Sequence, residues 1–146
     1  MVSVHMKQGD FQETLNRIVA EDHRYDEQAY HFLREALDFT IKLLDKPHEG
    51  KGRHVSGAEL LEGIRQFALK EYGPLTQTVL RTWGITRCED FGEVVFNMVQ
   101  HGLLGKTDDD RREHFSGGYD FDAAFRKPYR PRARATPAGP LSGSPV

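Results

Sequence analysis

One cysteine, Cys88, stands in 146 residues, so no disulfide can form within the chain and a reducing compartment is its natural setting. No apolar run exceeds three residues, far short of the roughly 18 that a membrane-spanning helix needs. Met1 to Gly9 lacks the apolar stretch of a secretory leader. These absences exclude a disulfide-stapled scaffold and set the expectation of a cytoplasmic protein with no membrane partner. The seven histidines form neither an H-x-x-x-H pair nor a cluster with Cys88, so no metal and no cofactor is expected. Ser116-Gly117-Gly118 lacks the lysine and further glycines of a phosphate loop. Asp108-Asp109-Asp110 runs into Arg111-Arg112 without the central glycine of a calcium loop.

Acid is missing too, but only locally. From Arg126 onward there are five cations (Arg126, Lys127, Arg130, Arg132 and Arg134) and no carboxylate, which leaves −7 for residues 1–125 of a chain whose net charge is −2. An acidic body with a basic tail is the main electrostatic feature.

What is present is helical periodicity. Phe11, Leu15, Ile18 and Val19 mark one face over 10–22, with Asp10 as the expected cap. Ala29, Leu33, Ala36, Leu37 and Leu44, widened by Phe32, Phe39, Ile41 and Leu43, make 26–44 a central helix that Pro47 ends. Ser56 and Glu59 form a capping box, and Leu60, Leu61, Ile64, Phe67 and Ala68 follow at helical spacing to Gly73. A helix over 74–83 carries Leu75, Val79, Leu80 and Trp83. After Gly84, a second box, Thr86 with Glu89, opens a helix to about His101 with Phe91, Val94, Val95, Met98 and Val99 inward.

The expected class is mainly α: a five-helix bundle, one domain over residues 1–130, with a Pro/Ala/Gly/Ser-rich tail over 131–146 expected to be disordered. The pair 74–83 and 87–101, leaving through Gly102-Leu103-Leu104, has the layout of a winged helix. Residues 103–107 and 119–121 would then be wing strands, forming a small C-terminal β-hairpin.

Arg24-Tyr25, Ala29-Tyr30, His54-Val55-Ser56-Gly57, Glu59 through Arg65, Tyr72-Gly73-Pro74-Leu75, Trp83-Gly84-Ile85 and Asp90 through Asn97 form a combined pattern. It resembles a family of small uncharacterised bacterial proteins associated with planctomycetes and verrucomicrobia, over about Phe11 to Tyr129. The resemblance implies one intact bacterial domain. It implies no activity, cofactor or catalytic residue.

Two surfaces are candidates for function. Arg126, Lys127, Arg130, Arg132 and Arg134, with Tyr129 interleaved, suit nucleic acid or an acidic protein. Phe115, Tyr119, Phe121, Phe125 and Tyr129, if exposed, form a docking patch for a protein partner or a second copy. Glu89, Asp90 and Glu93 in the first turn of the would-be recognition helix, against Arg87 alone, oppose DNA reading, because they repel phosphates. Cys88 is expected as an incidental surface or half-buried thiol. His48, His54 and Glu49 share one loop, and a structural place for His54 beside the Ser56 cap is the simpler reading. An enzyme would have to assemble a site from dispersed groups such as His54, Glu59, Glu62 and Arg65. The function expected is therefore that of a non-enzymatic protein-interaction module, homo-oligomeric or with another protein. A nucleic-acid-associated protein is the alternative.

Overall fold

The computed structural model describes residues 2–4, 8–44, 54–106 and 115–129. Helices dominate: α1 Gln8–Glu21, α2 Glu27–Leu43, α3 Gly57–Tyr72, α4 Thr76–Thr82 and α5 Cys88–Gln100. Three short strands, β1 Val2–Val4, β2 His54–Val55 and β3 Leu104–Lys106, form a small antiparallel sheet in the order β2-β1-β3. Val2 stands opposite Val55 on one side and Lys106 on the other.

The five helices fall where periodicity predicts them, and the reasons are local. Asp26 caps α2 by accepting from the Gln28 N–H at 2.9 Å. Ser56 caps α3 at the Glu59 N–H (3.0 Å), while Glu59 returns a carboxylate to the Ser56 N–H (2.9 Å). That is the reciprocal capping box, which satisfies two otherwise orphaned donors. Gly73 ends α3 with φ +52, and Pro74 enters a 3-10 turn, Gly73–Leu75, that leads into α4.

Two caps differ from expectation. α1 begins at Gln8, so Asp10 lies inside the helix rather than at its start. At α5 the first non-helical residue is Arg87, and it is Asp90, not Glu89, that accepts from the Thr86 N–H at 3.0 Å. Asp90 also accepts from the Tyr25 hydroxyl at 2.6 Å, which turns its carboxylate back toward Thr86.

α2 is the centre of one continuous core and packs on α1, α3 and α5. It crosses α3 closely. A Cβ added at Gly63 would sit 1.8 Å from the Thr40 hydroxyl, so glycine is required there for packing. Thr40 tolerates full burial because its hydroxyl donates to the Ala36 carbonyl at 2.7 Å. The stripe on α2 stops earlier than the sequence suggests: Leu43 and Leu44, at its end, are exposed.

The winged-helix-like second half and the C-terminal hairpin are not found. β3 pairs with β1, not with 119–121. Phe121 opens a helical stretch, followed by a π-helical turn Asp122–Arg126 and a 3-10 turn Lys127–Tyr129. The cause is spacing. Phe121 and Phe125, four apart, stack edge to face at 5.0 Å on one side of a helical turn, and Asp120 caps that turn by accepting from the Ala123 N–H at 3.0 Å. The alternation of Tyr119 with Phe121 suggested a strand; the four-residue spacing prevails. Pro47, His48, Glu49, the Asp108–Asp110 run and the tail 131–146 lie outside the described residues.

Ser56→Ala is expected to cost about 1 kcal/mol of stability through the lost cap. Gly63→Ala, which forces a methyl into Thr40, should cost about 3 kcal/mol. Urea unfolding of both variants checks the ranking; a Gly63→Ala protein as stable as wild type would mean that the α2–α3 crossing is looser than described.

Candidate functional site

The C-terminal turns separate an inner face from an outer one. Phe121, Ala124 and Phe125 point inward and are buried, and Phe115 is buried against Phe96. Tyr119 is half-buried, and its hydroxyl donates to the Leu61 carbonyl at 2.9 Å. Burial holds its phenol well above the usual range. The expected docking patch is therefore corrected. Phe115, Phe121 and Phe125 are core, because they cover Phe91 and the α5 face that would otherwise be open. Of the five aromatics only Tyr129 is exposed, at 45%.

The outer face is Arg126, Lys127, Pro128 and Tyr129, all exposed. Arg126 pairs with Asp122 at 3.4 Å. Arg130, Arg132 and Arg134 lie outside the described residues. The preceding turn, Asp122–Arg126, packs against the Gly73–Leu75 turn and α4. The Tyr129 hydroxyl lies 3.9 Å from where a Gly73 side chain would begin. Two residues along that turn is Leu75, 64% exposed, where periodicity placed a core residue. Leu75 falls on the 3-10 turn before α4 begins, so it is out of phase with the buried pair Thr76 and Leu80. Pro74 and Leu75 on one turn, and Pro128 and Tyr129 on another far away in sequence, are thus exposed, and the two turns approach each other at Gly73.

A set of ionisable groups elsewhere is engaged in holding the fold. Arg24 makes a bidentate pair with Asp22, its Nη2 at 2.7 Å, and also reaches Glu93 at 3.2 Å. The guanidinium holds the Asp22 carboxyl well below the usual carboxylate range. Asn97 donates to Asp22 and to the Tyr30 hydroxyl, both at 3.0 Å, and His101 Nδ1 donates to the Asn97 carbonyl at 2.9 Å. This network fastens the α1–α2 turn to α5. Desolvation, and then the bond to Asp90, raises the Tyr25 phenol well above its normal range.

A cleft of about 440 Å³ opens between that turn and the end of α4, lined by His23, Arg24, Asp26, Glu27, Arg81 and Trp83 among others. Its carboxylates already serve elsewhere: Asp26 caps α2, and Glu27 accepts from Gln12. Gly84 (φ +91) forms its rim against the Arg24 carbonyl, where an added Cβ would stand 2.2 Å away.

Of the dispersed catalytic set, the described side chains are engaged in local structure. Glu59 is in its capping box, and Glu62 is paired with Arg65 at 2.6 Å, which lowers its carboxyl. The side chain of His54 is outside the described set. Cys88 is buried rather than at the surface, with its Sγ 3.4 Å from both the N–H and the carbonyl of Tyr119. Burial pushes its thiol up to about 11, the wrong direction for a nucleophile near neutrality. Among the described residues no group of three or more His, Cys, Asp or Glu is placed to hold a metal, and no helix is long and apolar enough to cross a membrane.

No family model matches the chain, and neither the curated proteins nor the solved structures contain a match.

Asp22→Asn tests the network. A carboxyl whose folded pKa is depressed contributes stability above its unfolded pKa, near 4, and loses that contribution as pH falls toward the folded value. The variant should therefore be less stable than wild type at pH 7, with the gap closing below about pH 4. A gap that stays constant down to pH 2 would sink the assignment. Separately, Cys88 should react with iodoacetamide at pH 8 far more slowly in the native protein than in urea; equal rates would contradict its burial.

Proposed function

We propose that the chain is a small, non-enzymatic protein-interaction module of the cytoplasm, which docks a protein partner on the outer face of the C-terminal turns and the adjoining Gly73–Leu75 turn. One observation carries this reading: Leu75 is 64% and Tyr129 45% exposed, and the Tyr129 hydroxyl comes within 3.9 Å of where a Gly73 side chain would begin, so two segments distant in sequence meet at this turn. A lone exposed leucine is ordinary, but large exposed apolar residues on two turns that approach each other suit a contact face. The engagement of Asp22, Arg24, Glu59, Glu62 and Arg65 in structural pairs, and the raised thiol of Cys88, favour a binding role over catalysis. On the motifs that carry the resemblance, we also propose kinship with the small planctomycete and verrucomicrobial proteins.

A nucleic-acid-associated role is the second reading. It is favoured by the run of Arg126, Lys127, Arg130, Arg132 and Arg134 around the exposed Tyr129, since cations interleaved with an aromatic suit a single strand. The acids at the start of α5 stand against major-groove reading.

Affinity capture from native cell extract, with wild type and Leu75→Asp in parallel, tests the first reading. A partner, or a second copy, retained by wild type and lost from the variant is the expected result. A wild-type chain that stays monomeric and retains nothing the variant loses would overturn it. Anisotropy with single-stranded RNA across a salt series tests the second: affinity falling steeply with salt would favour it, and no binding at low salt would end it.

A further inference from the structure

Residues 115–129 are held differently from the helices before them. Among the described residues, their backbone–backbone hydrogen bonds stay within the segment. Its middle is the π-helical turn Asp122–Arg126 and its end the 3-10 turn Lys127–Tyr129, geometries that sustain themselves less well than an α-helix. Side-chain fit attaches it instead. Phe115 fills a notch in α5, where a Cβ on Gly92 would stand 2.9 Å from the Phe115 Cβ. In return Gly118 lies over α3 and α5, where a Cβ would stand 2.5 Å from Leu61 Cδ1 and 3.1 Å from Cys88 Sγ. Phe121 stacks on Phe91 at 5.5 Å, and the Tyr119 hydroxyl donates to the Leu61 carbonyl. The elements that receive the segment have supports of their own: α3 and α5 pack on α2, α4 packs on α3, and β3, just before the segment in the chain, is paired to β1. Cys88 lies directly beneath, its Sγ 3.4 Å from both the N–H and the carbonyl of Tyr119.

We propose that residues 115–129 are a latch, which lifts as one unit from the folded helices and uncovers Cys88 and the Gly92 notch while α1 to α5 stay together. Proteins open in cooperative units of unequal stability, and a unit whose departure leaves the other contacts intact is the one that opens alone. Exposing Phe115, Phe121 and Phe125 to water keeps the open form a small minority. The latch bears on the surface around Leu75, because Tyr129 travels with it: Tyr129 and the Gly73–Leu75 turn meet only in the closed form. The inference itself stands apart from whether a partner docks there.

Cys88 is a built-in reporter for the test, which uses the full chain. Its alkylation by iodoacetamide is followed by mass across urea concentrations below the unfolding transition. Opening of the latch exposes little surface, so the rate should be nearly flat at low urea and turn steep only where global unfolding takes over. The alkylated protein should keep its helical circular dichroism. Phe115→Ala and Phe125→Ala, near opposite ends of the segment, should each speed the flat phase by about tenfold or more. Leu15→Ala, buried on α1, should bring the steep phase to lower urea and leave the flat phase unchanged. Should Phe125→Ala not fold, Phe125→Leu makes the same comparison with a smaller loss. A rate that follows the global slope from the lowest urea, or a flat phase sped as much by Leu15→Ala as by Phe115→Ala, overturns the latch. So does alkylation that abolishes the helical signal. A flat phase that responds to Phe115→Ala but to neither variant at Phe125 shows that only the stretch over Cys88 moves, and the single unit is then wrong.

Discussion

The close crossing of α2 over α3, at Gly63 against Thr40, is the constraint on which the rest of the molecule hangs. α2 is surrounded by other helices, so its position is fixed from several sides. The absence of a side chain at Gly63 lets α3 lie against it at a distance that any larger residue would increase. Interiors are packed as tightly as molecular crystals, and a change of one methyl is felt throughout such a contact. The direction in which α3 leaves α2 then decides where the Gly73–Leu75 turn and α4 are carried, and so which surface the C-terminal turns find to pack on. The proposed contact face is a downstream result of a crossing in the core.

The electrostatics divide the molecule. Around the α1–α2 turn, opposite charges are brought together and consumed: Asp22, Arg24 and Glu93 with Asn97, and Tyr25 with Asp90. Such groups hold a loop in place and leave little charge over for a ligand. Around α4 and the C-terminal turns carboxylates are fewer: Arg126 is paired with Asp122, and Arg81 lines the cleft that also holds Asp26 and Glu27.

Much of the fold is legible in the sequence, because α-helices are written locally. The α3 start is fixed by Ser56 and Glu59 three residues apart, and the inward faces of α1, α3 and α5 follow from a 3.6-residue period. Misreadings came where a second constraint overrode a local pattern. Tyr119 and Phe121 alternate as in a strand, but Phe121 and Phe125 prefer to stack across a helical turn. Leu75 continues the periodicity of α4 on paper, yet the intervening 3-10 turn rotates it to the surface. The aromatic segment reads as a docking patch only if it is exposed, and the sequence leaves that open because its partner, the Phe91 face of α5, is a tertiary fact. The contact face was hidden for a similar reason. Its two halves are visible one at a time in the sequence, and only the fold shows that they meet at Gly73.

The inward set of the C-terminal turns has a consequence for the order of assembly. Phe115, Phe121 and Phe125 close the core over Phe91, and Gly118 rests between Leu61 and Cys88 with no room for a side chain. A growing polypeptide that has reached the end of α5 already contains all five helices, but its hydrophobic interior is still open along one side. At synthesis rates of roughly 5–20 residues per second, the 25 residues from His101 to Phe125 occupy about one to five seconds. During that interval the oily flank of α5 is available to chaperones or to other unfinished chains, and the last aromatic to arrive seals it.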